Sequence, residues 1–462
     1  MEHFDAIIIG SGQGGTPLAR KLAGAGWKTA LIEKLYVGGT CVNYGCTPTK
    51  TMIASAKTAD FVARAPEWGV EVDGFRVNMQ KVIARKIKVV ESFRNGSQKA
   101  LENTGNLHLL FGEASFTAAK TIRVLLPDES IRIISGNKIF INVGTRPRIP
   151  DIAGLAQAGY FTSDTLPDLT EVPGHLLVIG GGYVGLEFGQ MYRRFGSRVT
   201  ILQHSDRFLS REDADVAAAL VQVLQDEGIE MRTGAQVRKA EKDKGEILLT
   251  VRVQDKDQLI RCSHILVAAG RVPNSGELSL AAAGVQTNDK GQVLVNDKLE
   301  TSGPGIYAIG DVKGGPEFTH ISYNDHLVLY HNLVENKNET ITGRPVPYCM
   351  FTDPPLGRVG LTETQARDQG LDITSATRPM SQVARAIETG DVRGLMKAVV
   401  EARSGRILGV AVLGPEGGET MSLLQMAMAG GLRAGQLKDM IFAHPLYAES
   451  LNNLFGKLDE PA

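Results

Sequence analysis

The chain has 462 residues, and its 50 basic and 51 acidic side chains give a formal net charge of -1. This balance excludes the strong positive field that attracts nucleic acid or an anionic membrane, so a small molecule or another protein is the expected partner. The length suffices for about three domains.

The four cysteines are too few for a disulfide scaffold in a chain of this size. This favours a reducing compartment, the cytoplasm, in which a disulfide is transient and catalytic. No stretch approaches about 18 uninterrupted apolar residues, so no membrane span is expected. The first apolar run, residues 6–9, leads directly into a glycine motif, so no signal peptide is expected ahead of the fold.

The first predicted unit is a strand over residues 4–9, a glycine turn, a helix to about residue 25 and a strand over residues 29–32 that ends at Glu33. The turn has the glycine spacing of a dinucleotide-binding fingerprint: Gly10, Gly12 and Gly15. Such glycines let a pyrophosphate approach the backbone at a helix N-terminus, and Glu33 can accept hydrogen bonds from a ribose. An ordinary glycine-rich turn does not require all these elements in this order.

Residues 38–50 contain Cys41 and Cys46, two of the four cysteines. A straight helix would hold their Cα atoms about 8 Å apart, beyond the ~4.4–6.8 Å that a disulfide accepts. The backbone must therefore depart from a helix between them, and the glycines of this segment supply the freedom. Pro48 suits a helix that starts just after Cys46, and a helix N-terminus favours a thiolate. The pair is interpreted as a redox device.

Two alternatives exist for this cysteine pair: a zinc site and a pair of inert buried thiols. Zinc accepts the spacing but needs about four ligands, and no second Cys or His pair stands nearby in the sequence. Inert buried thiols rarely occur with so many glycines and a following Pro-x-Lys. Cys262 lies in a strand pattern and Cys349 beside an apolar residue, so both are interpreted as buried thiols. No resident metal site is expected.

Residues 82–101 predict an amphipathic helix, which short strands follow over 107–111, 121–125 and 138–143. A Pro-rich crossing at residues 147–150 then indicates a domain boundary. The strand, glycine turn, helix and strand recur from residue 176, with strands over 176–179 and 199–202. The second turn repeats the fingerprint: Gly180, Gly182 and Gly185. Two such units imply two dinucleotides, which a flavoprotein that takes electrons from a nicotinamide needs.

Gln203 stands where the first unit has Glu33. A carboxylate there would repel the 2′-phosphate of NADPH, so its absence removes the case for strict use of NADH. His204, Ser205 and Arg207 follow and could form a phosphate site, which favours NADPH. The alternative, that these are solvated loop residues, carries nearly equal weight.

The later elements complete the pattern. A strand over 264–269 ends in a turn at residues 270–274, and a second buried strand delivers Asp311 at its carboxyl end, where an acid can hold ribityl hydroxyls or cap the next helix. Strands over 395–401 and 406–413 form a hairpin. The methionines of the helix after it are interpreted as core or interface filler: Met421, Met426 and Met428. His444, with Glu449 to orient it, could be the acid/base of a dithiol, although a lone histidine here is more often structural.

Together these motifs resemble the class I pyridine nucleotide-disulfide oxidoreductases, over essentially the whole chain. The cysteine segment and the Gln-Met-Tyr-Arg-Arg-Phe-Gly run after Glu187 are most similar to mercuric-reductase-like and dihydrolipoamide dehydrogenase-like members. The resemblance implies an α/β fold with two Rossmann-like dinucleotide-binding domains, for FAD and NAD(P), and an α+β C-terminal dimerisation domain of a homodimer. The expected domains are 1–149 for FAD, 150–272 for NAD(P), 273–344 completing the FAD domain and 345–462 for the interface.

The resemblance also implies roles for single residues. Cys41 would be the interchange thiol that attacks substrate, and Cys46 the thiol that faces the flavin and forms a charge-transfer complex with it. Lys50 would lie near flavin N5 and pair with Glu187. Tyr183 would cover the flavin until the nicotinamide displaces it.

His444 would come from the partner subunit, held by Glu449, and act as acid/base. The positions expected to bind the cofactors, FAD and NADP or NAD, are Gly10, Gly12, Gly15, Glu33, Lys34, Gly39, Thr40, Lys50, Ala114, Gly144, Gly310, Asp311, Gly180, Gly182, Gly185, Gln203, His204 and Gly270.

The expected function is FAD-dependent NAD(P)H:disulfide oxidoreduction, in which electrons pass through a redox-active Cys41–Cys46 disulfide to a disulfide or thiophilic acceptor, in either direction. Two alternatives stay open. One is a mercuric or other metal-ion reductase, although the C-terminal vicinal cysteine pair of mercuric reductases is missing after Lys457 and the His444-Pro445 pair is kept. The other is a redox-responsive flavoprotein without turnover, which would need no proton shuttle. Arginines that would hold glutathione cannot be placed in the sequence, so glutathione is not favoured.

Overall fold

Apolar strands covered on both faces build the N-terminal sheet, as expected for parallel strands. The computed structural model describes residues 1–459. The first elements are β1 (Glu2–Ile9), α1 (Gly15–Gly24), β2 (Thr29–Glu33), α2 (Gly39–Asn43), α3 (Cys46–Arg64), α4 (Met79–Glu102), β3 (Leu107–Phe111), β4 (Glu113–Ala118), β5 (Thr121–Leu125), β6 (Ile131–Ile141) and β7 (Thr145–Pro147). Strands β3, β2, β1 and β6 are parallel in that order, and the start of β6 pairs antiparallel with β5, which pairs with β4.

The second unit repeats this plan with a smaller sheet. Its elements are α5 (Leu155–Ala158), β8 (Phe161–Thr162), β9 (His175–Ile179), α6 (Tyr183–Phe195), β10 (Arg198–Leu202), α7 (Ala214–Asp226), β11 (Glu230–Arg232), β12 (Ala235–Asp243), β13 (Glu246–Val253), β14 (Lys256–Cys262), β15 (His264–Val267) and β16 (Arg271–Pro273). The parallel order is β11, β10, β9, β15 and β8, and β12 to β14 form a separate antiparallel sheet. The sequence pattern did not predict that antiparallel sheet.

The chain then returns to the first sheet through β17 (Ile306–Ala308), which pairs parallel with β6, and continues into α8 (Thr319–Leu333). The two crossings between the units lie side by side, because β7 and β16 pair antiparallel. This return places the carboxyl end of β17 beside the carboxyl ends of β1 and β6. In a doubly wound sheet, ligands bind at that edge.

The C-terminal part is an antiparallel sheet with helices. Its elements are β18 (Tyr348–Met350), β19 (Leu356–Gly360), α9 (Glu363–Asp368), β20 (Ile373–Pro379), α10 (Ala384–Glu388), β21 (Leu395–Glu401), β22 (Ile407–Leu413), α11 (Gly417–Ala429), α12 (Ala434–Lys438) and α13 (Ser450–Gly456). The sheet order is β18, β19, β22, β21 and β20. Met421 is buried in its core, whereas Met426 is 76% exposed.

Two Rossmann-like units and an α+β C-terminal domain confirm the expected fold class. The domain boundaries at residues 150, 273 and 345 stay a prediction, and the last three residues of the expected 345–462 domain lie outside the described residues. No helix within residues 1–459 is both long and apolar enough to cross a membrane.

Candidate active site

A cavity of about 900 Å³ lies at the carboxyl edge of the N-terminal sheet. Its walls come from segments that are far apart in sequence, including the first glycine turn, the cysteine segment, β4 and the start of α8. The expected cofactor-binding residues that line it are Gly10, Gly12, Glu33, Lys34, Gly39, Thr40, Lys50, Ala114, Gly144 and Asp311. The cavity is therefore large enough for a dinucleotide and is bordered by both cysteines of the pair.

The glycine turn after β1 leaves no room for side chains. A Cβ on Gly15 would lie 2.2 Å from the carbonyl oxygen of Gly10, and a Cβ on Gly39 would lie 2.7 Å from the Cα of Gly12. Glu33 accepts hydrogen bonds from the Ser11 N–H at 3.0 Å and the Ser11 hydroxyl at 2.6 Å. A bare backbone at a helix N-terminus beside an acidic residue fits the pyrophosphate and ribose of FAD.

Asp311 reaches the cavity from the turn that follows β17. Its carboxylate accepts a hydrogen bond from the Thr145 hydroxyl at 3.5 Å. Burial raises the pKa of Asp311, while the charges of Arg271 and Lys313 act against this shift. Neither the turn nor α8 has a side-chain cap, so the structure does not support the alternative in which Asp311 caps the following helix. Gly310 itself, with φ +70°, donates its N–H to Asp325 at 2.8 Å.

The two active cysteines lie on different helices. Cys41 belongs to α2, which ends at Asn43, and Cys46 is the first residue of α3. The backbone leaves the helical path between them, as the disulfide argument required. Both side chains line the cavity, and both are thiols in this structure.

Cys46 is the thiol that ionises first. A hydrogen bond from Cys41 lowers its pKa to about 6, with help from the Thr319 hydroxyl and the charge of Lys50, whereas burial and Glu187 act in the opposite direction. The pKa of Cys41 is raised by the same contact and by its burial. The Thr319 hydroxyl lies 3.5 Å from the sulfur of Cys46. Thr319 was missed in the sequence because it lies on α8, and no local motif connects it to the cysteines.

Lys50 forms an ion pair with Glu187 at the wall of the cavity, with 2.7 Å between Nζ and Oε2. Glu187 is buried and also accepts the backbone N–H of Phe351 at 2.8 Å. The ammonium group of Lys50 lies 4.8 Å from the centre of the Phe351 ring. Phe351 is a second residue that the sequence analysis did not identify.

The second glycine turn reproduces the first in detail. The Gly181 N–H donates to Gln203 Oε1 at 2.8 Å, as the Ser11 N–H donates to Glu33. A Cβ on Gly185 would lie 2.0 Å from the carbonyl oxygen of Gly180. Gln203 donates in turn to the Ser205 hydroxyl at 2.6 Å. The remaining expected positions at this turn are Gly182 and His204, which are exposed, and Gly270, which has φ +104°.

Three of the expected catalytic residues do not line the cavity in this single chain: Tyr183, His444 and Glu449. The Tyr183 hydroxyl donates to Glu212 at 3.0 Å, and its ring lies 5.5 Å from that of Tyr348. His444 is 69% exposed, and its Nδ1 lies 2.9 Å from an oxygen of Glu449. The expected pairing of His444 with Glu449 is thus present.

Comparison with known proteins adds the family. The sequence model of the pyridine nucleotide-disulphide oxidoreductases matches residues 4–325, and that of their dimerisation domain matches residues 346–455. The chain belongs to this family. It is 38% identical over 461 residues to the probable pyridine nucleotide-disulfide oxidoreductase RclA of Escherichia coli K12, with 99% of each chain covered.

Other relatives carry the chemistry that the sequence predicted. The chain is 34% identical over 451 residues to a mercuric reductase of Lysinibacillus sphaericus, covering 97% of this chain and 82% of that protein. It is 31% identical over 463 residues to a dihydrolipoyl dehydrogenase of Geobacillus stearothermophilus, covering 96% and 94%. The solved structure of a Cu(II) complex of the HOCl-induced flavoprotein disulfide reductase RclA superposes with a TM-score of 0.90 at 36% identity, covering 99% of each chain.

These relationships confirm the predicted function class. The chain is a flavin-dependent oxidoreductase that uses FAD and a pyridine nucleotide in disulfide chemistry. The alternative of a flavoprotein without turnover receives no support, because the relatives are enzymes. The mercuric-reductase-like character seen in the cysteine segment is also confirmed.

Proposed function

We propose that this enzyme uses NADPH to reduce a small-molecule disulfide through Cys46 and Cys41. The observation that carries the proposal is that Cys46, a thiol with its pKa lowered to about 6, shares one cavity with a dinucleotide-binding turn. When bound, FAD supplies a centre that accepts a hydride from the nicotinamide and delivers two electrons to a disulfide. A reducing compartment such as the cytoplasm suits this chemistry, because thiols are kept reduced there and disulfides are transient.

We assign the holding of FAD to the first glycine turn, Glu33, the cysteine segment and the Gly310–Asp311 turn. The nicotinamide dinucleotide is assigned to the second turn and its neighbours. The support is the absence of room for a Cβ at Gly15 and Gly185 and the equivalent hydrogen bonds of Glu33 and Gln203. The Lys50–Glu187 pair then fixes a positive charge beside Cys46.

The bonds and electrons of the exchange are all supplied by the Cys41–Cys46 dithiol and the substrate disulfide. The sulfur of Cys41 attacks one substrate sulfur, the substrate S–S bond breaks, and the second substrate sulfur leaves as a thiolate that takes a proton. The Cys46 thiolate then attacks Cys41, releases the first substrate sulfur and forms the Cys41–Cys46 disulfide. Each cycle therefore needs two electrons to restore the dithiol, and a base to deprotonate Cys41.

We propose that His444 of the partner subunit is this acid/base, with Glu449 orienting its ring. The support is the exposed His444–Glu449 pair in a segment that matches a dimerisation domain. A homodimer would bring each pair to the other chain's cysteines. Tyr183 is proposed to cover the flavin until the nicotinamide displaces it; in this structure its hydroxyl donates to Glu212.

An acceptor panel tests the proposal. The purified holoenzyme is assayed with lipoamide, glutathione disulfide, coenzyme A disulfide and Hg(II), each with NADPH and NADH. We expect turnover of at least one disulfide and a dependence on both cysteines. Turnover of Hg(II) with none of the disulfides would reject the proposed substrate class.

Reduction of a thiophilic metal ion is the second candidate function. It is favoured by a thiolate-forming Cys46 next to Cys41, a soft ligand pair, and by the Cu(II) complex of the relative RclA. Hg(II) or Cu(II) would be the substrate, with no resident metal site needed. Metal-dependent NADPH oxidation that is lost in Cys41→Ser would support it, and oxidation that persists in that variant would exclude a role for the pair.

A pH titration is the first prediction. Because the pKa of Cys46 is lowered to about 6, its thiolate should be present above pH 6 and lost as the pH falls below it. After two-electron reduction under anaerobic conditions, the long-wavelength charge-transfer absorbance should rise with pH with a midpoint near 6. A midpoint near the ordinary thiol pKa of about 8.5 would contradict the assignment of Cys46 as the activated thiol.

The preference for NADPH gives the second prediction. The Gln203→Glu variant places a carboxylate where the 2′-phosphate of NADPH is proposed to bind, so kcat/KM for NADPH should fall by about tenfold or more, and that for NADH much less. Gln203→Met is the control for loss of the Gln203 hydrogen bonds, because it removes those to Gly181 and Ser205 without adding charge. A fall of equal size for both nucleotides would remove the case for a phosphate site.

A further inference from the structure

Helix α6 carries a stripe of three buried polar side chains: Glu187, Gln190 and Arg194. Their spacings of three and four residues put them on one face of the helix. All three bond to the short segment 351–353, which lies between β18 and β19 of the C-terminal sheet. Polar groups are rarely buried in such numbers without a structural or functional reason.

Gln190 makes the central contact of this stripe. It accepts the backbone N–H of Asp353 at 2.8 Å and donates to the backbone carbonyl of the same residue at 2.8 Å. Its amide also donates to Glu227 at 2.8 Å. A single side chain thus pairs with both main-chain polar groups of one residue. Its loss would leave the buried N–H of Asp353 without this partner and the Asp353 carbonyl with only a 3.4 Å hydrogen bond from Arg194.

The side chain of Asp353 is held from two further directions. Arg194 donates to its Oδ2 at 2.7 Å, and Lys57 of α3 lies 3.1 Å from its Oδ1. The charges of Arg194 and Lys57 outweigh burial and lower the pKa of Asp353. The C-terminal end of segment 351–353 is therefore bound to both α6 and α3, the helix that begins at Cys46.

The other end of the segment reaches the redox site. The Phe351 N–H holds Oε1 of Glu187, whose Oε2 binds Lys50, and the Phe351 ring covers the Lys50 ammonium. The groups that act on the Cys46 thiol are Cys41, Thr319, Lys50 and Glu187. Of these, both charged groups contact Phe351.

We propose that Gln190 is a positioning residue for the redox site: by fixing segment 351–353, it holds Glu187 and, through it, Lys50 beside Cys46. The inference rests on the proposed roles of Cys46 and Lys50. If Gln190 no longer pairs with Asp353, the segment relaxes, and Phe351 releases both Glu187 and the ammonium group. The Lys50 charge lowers the pKa of Cys46 by more than the Glu187 charge raises it, so displacement of both groups leaves the Cys46 thiolate less stabilised.

The test uses the flavin-loaded Cys41→Ser protein, in which Cys46 is the thiol that faces the flavin and its thiolate gives a long-wavelength band without any reductant. The midpoint of this band is titrated with and without Gln190→Met, a substitution of similar volume that cannot pair with Asp353. We expect the midpoint to rise by about half a pH unit or more. Should Gln190→Met fail to fold, Gln190→Asn, which keeps an amide but shortens its reach, takes its place with the same expectation.

Tyr192→Phe is the matched control. It removes a buried hydrogen bond of 2.8 Å made by the same helix, and the acceptor of that bond is the carbonyl of Leu166, outside segment 351–353. Its midpoint should equal that of Cys41→Ser alone. An unshifted midpoint in a folded Gln190 variant, or an equal shift in Tyr192→Phe, overturns the inference. If Cys41→Ser alone gives no band at any pH, the proposed function fails at Cys46, which separates that failure from an unshifted band.

Discussion

Replacing Cys46 with serine should abolish NADPH-dependent disulfide reduction, with a loss of about 10³-fold or more in kcat. Serine cannot form the disulfide that receives the electrons, and its hydroxyl does not ionise near pH 6, where the Cys46 thiol does. The yellow colour should persist, because the first glycine turn and Glu33, which are proposed to hold the pyrophosphate and ribose, are unchanged in this variant. Anaerobic titration with NADPH should reduce the flavin without the long-wavelength band.

Two matched variants sharpen this experiment. Cys41→Ser should lose disulfide turnover to a similar degree but keep the band, because the Cys46 thiolate remains. Cys262→Ala should behave like the unmodified enzyme, because Cys262 is buried in β14 and burial raises its pKa to about 12. A charge-transfer band that survives in Cys46→Ser would reverse the assigned roles of the two cysteines.

The residues of this site whose roles depend on local geometry could be predicted from the sequence. The spacing of Gly10 to Gly15 follows from the close approach of a backbone to a phosphate, and the glycines around Cys41 follow from the reach of a disulfide. Both patterns lie within a few residues, so they can be recognised in the chain. The pairing of Lys50 with Glu187 connects the two dinucleotide-binding units, and it was predicted from the family resemblance and not from local geometry.

Thr319 and Phe351 could not be found in this way. Each reaches the site from a segment that returns after more than one domain, and each contributes through a single hydroxyl or a backbone N–H. A backbone N–H has no sequence signature, and a threonine at a helix start is common as a cap. Likewise, nothing local showed that Tyr183 would bond to Glu212. Long-range tertiary contacts decide these placements.

A Gly→Ala substitution in either glycine turn should also have a large effect on cofactor binding. Because the two turns are proposed to hold different dinucleotides, the same substitution at equivalent positions should weaken the binding of different cofactors. In Gly185→Ala, the new Cβ would lie 2.0 Å from the carbonyl oxygen of Gly180, so the start of α6 must move away from the turn. We expect kcat/KM for NADPH to fall by about 100-fold or more while FAD stays bound. The flavin content and the rate of reduction by NADPH are the measurements.

Gly15→Ala is the counterpart, with its Cβ 2.2 Å from the carbonyl oxygen of Gly10 and 2.6 Å from the Asn142 amide nitrogen. This variant should be purified with little or no FAD, because α1 cannot approach the turn that is proposed to hold the pyrophosphate.

Dithionite, which needs no nucleotide site, should still reduce the flavin of Gly185→Ala and generate the charge-transfer band. That band would show that displacement of α6 had spared the Lys50–Glu187 pair, and that the defect lies in nucleotide binding. Each clash acts on one turn and on the helix that begins there. Loss of FAD from Gly185→Ala together with its retention in Gly15→Ala would therefore mean that the second turn holds FAD and the first turn holds the nicotinamide dinucleotide.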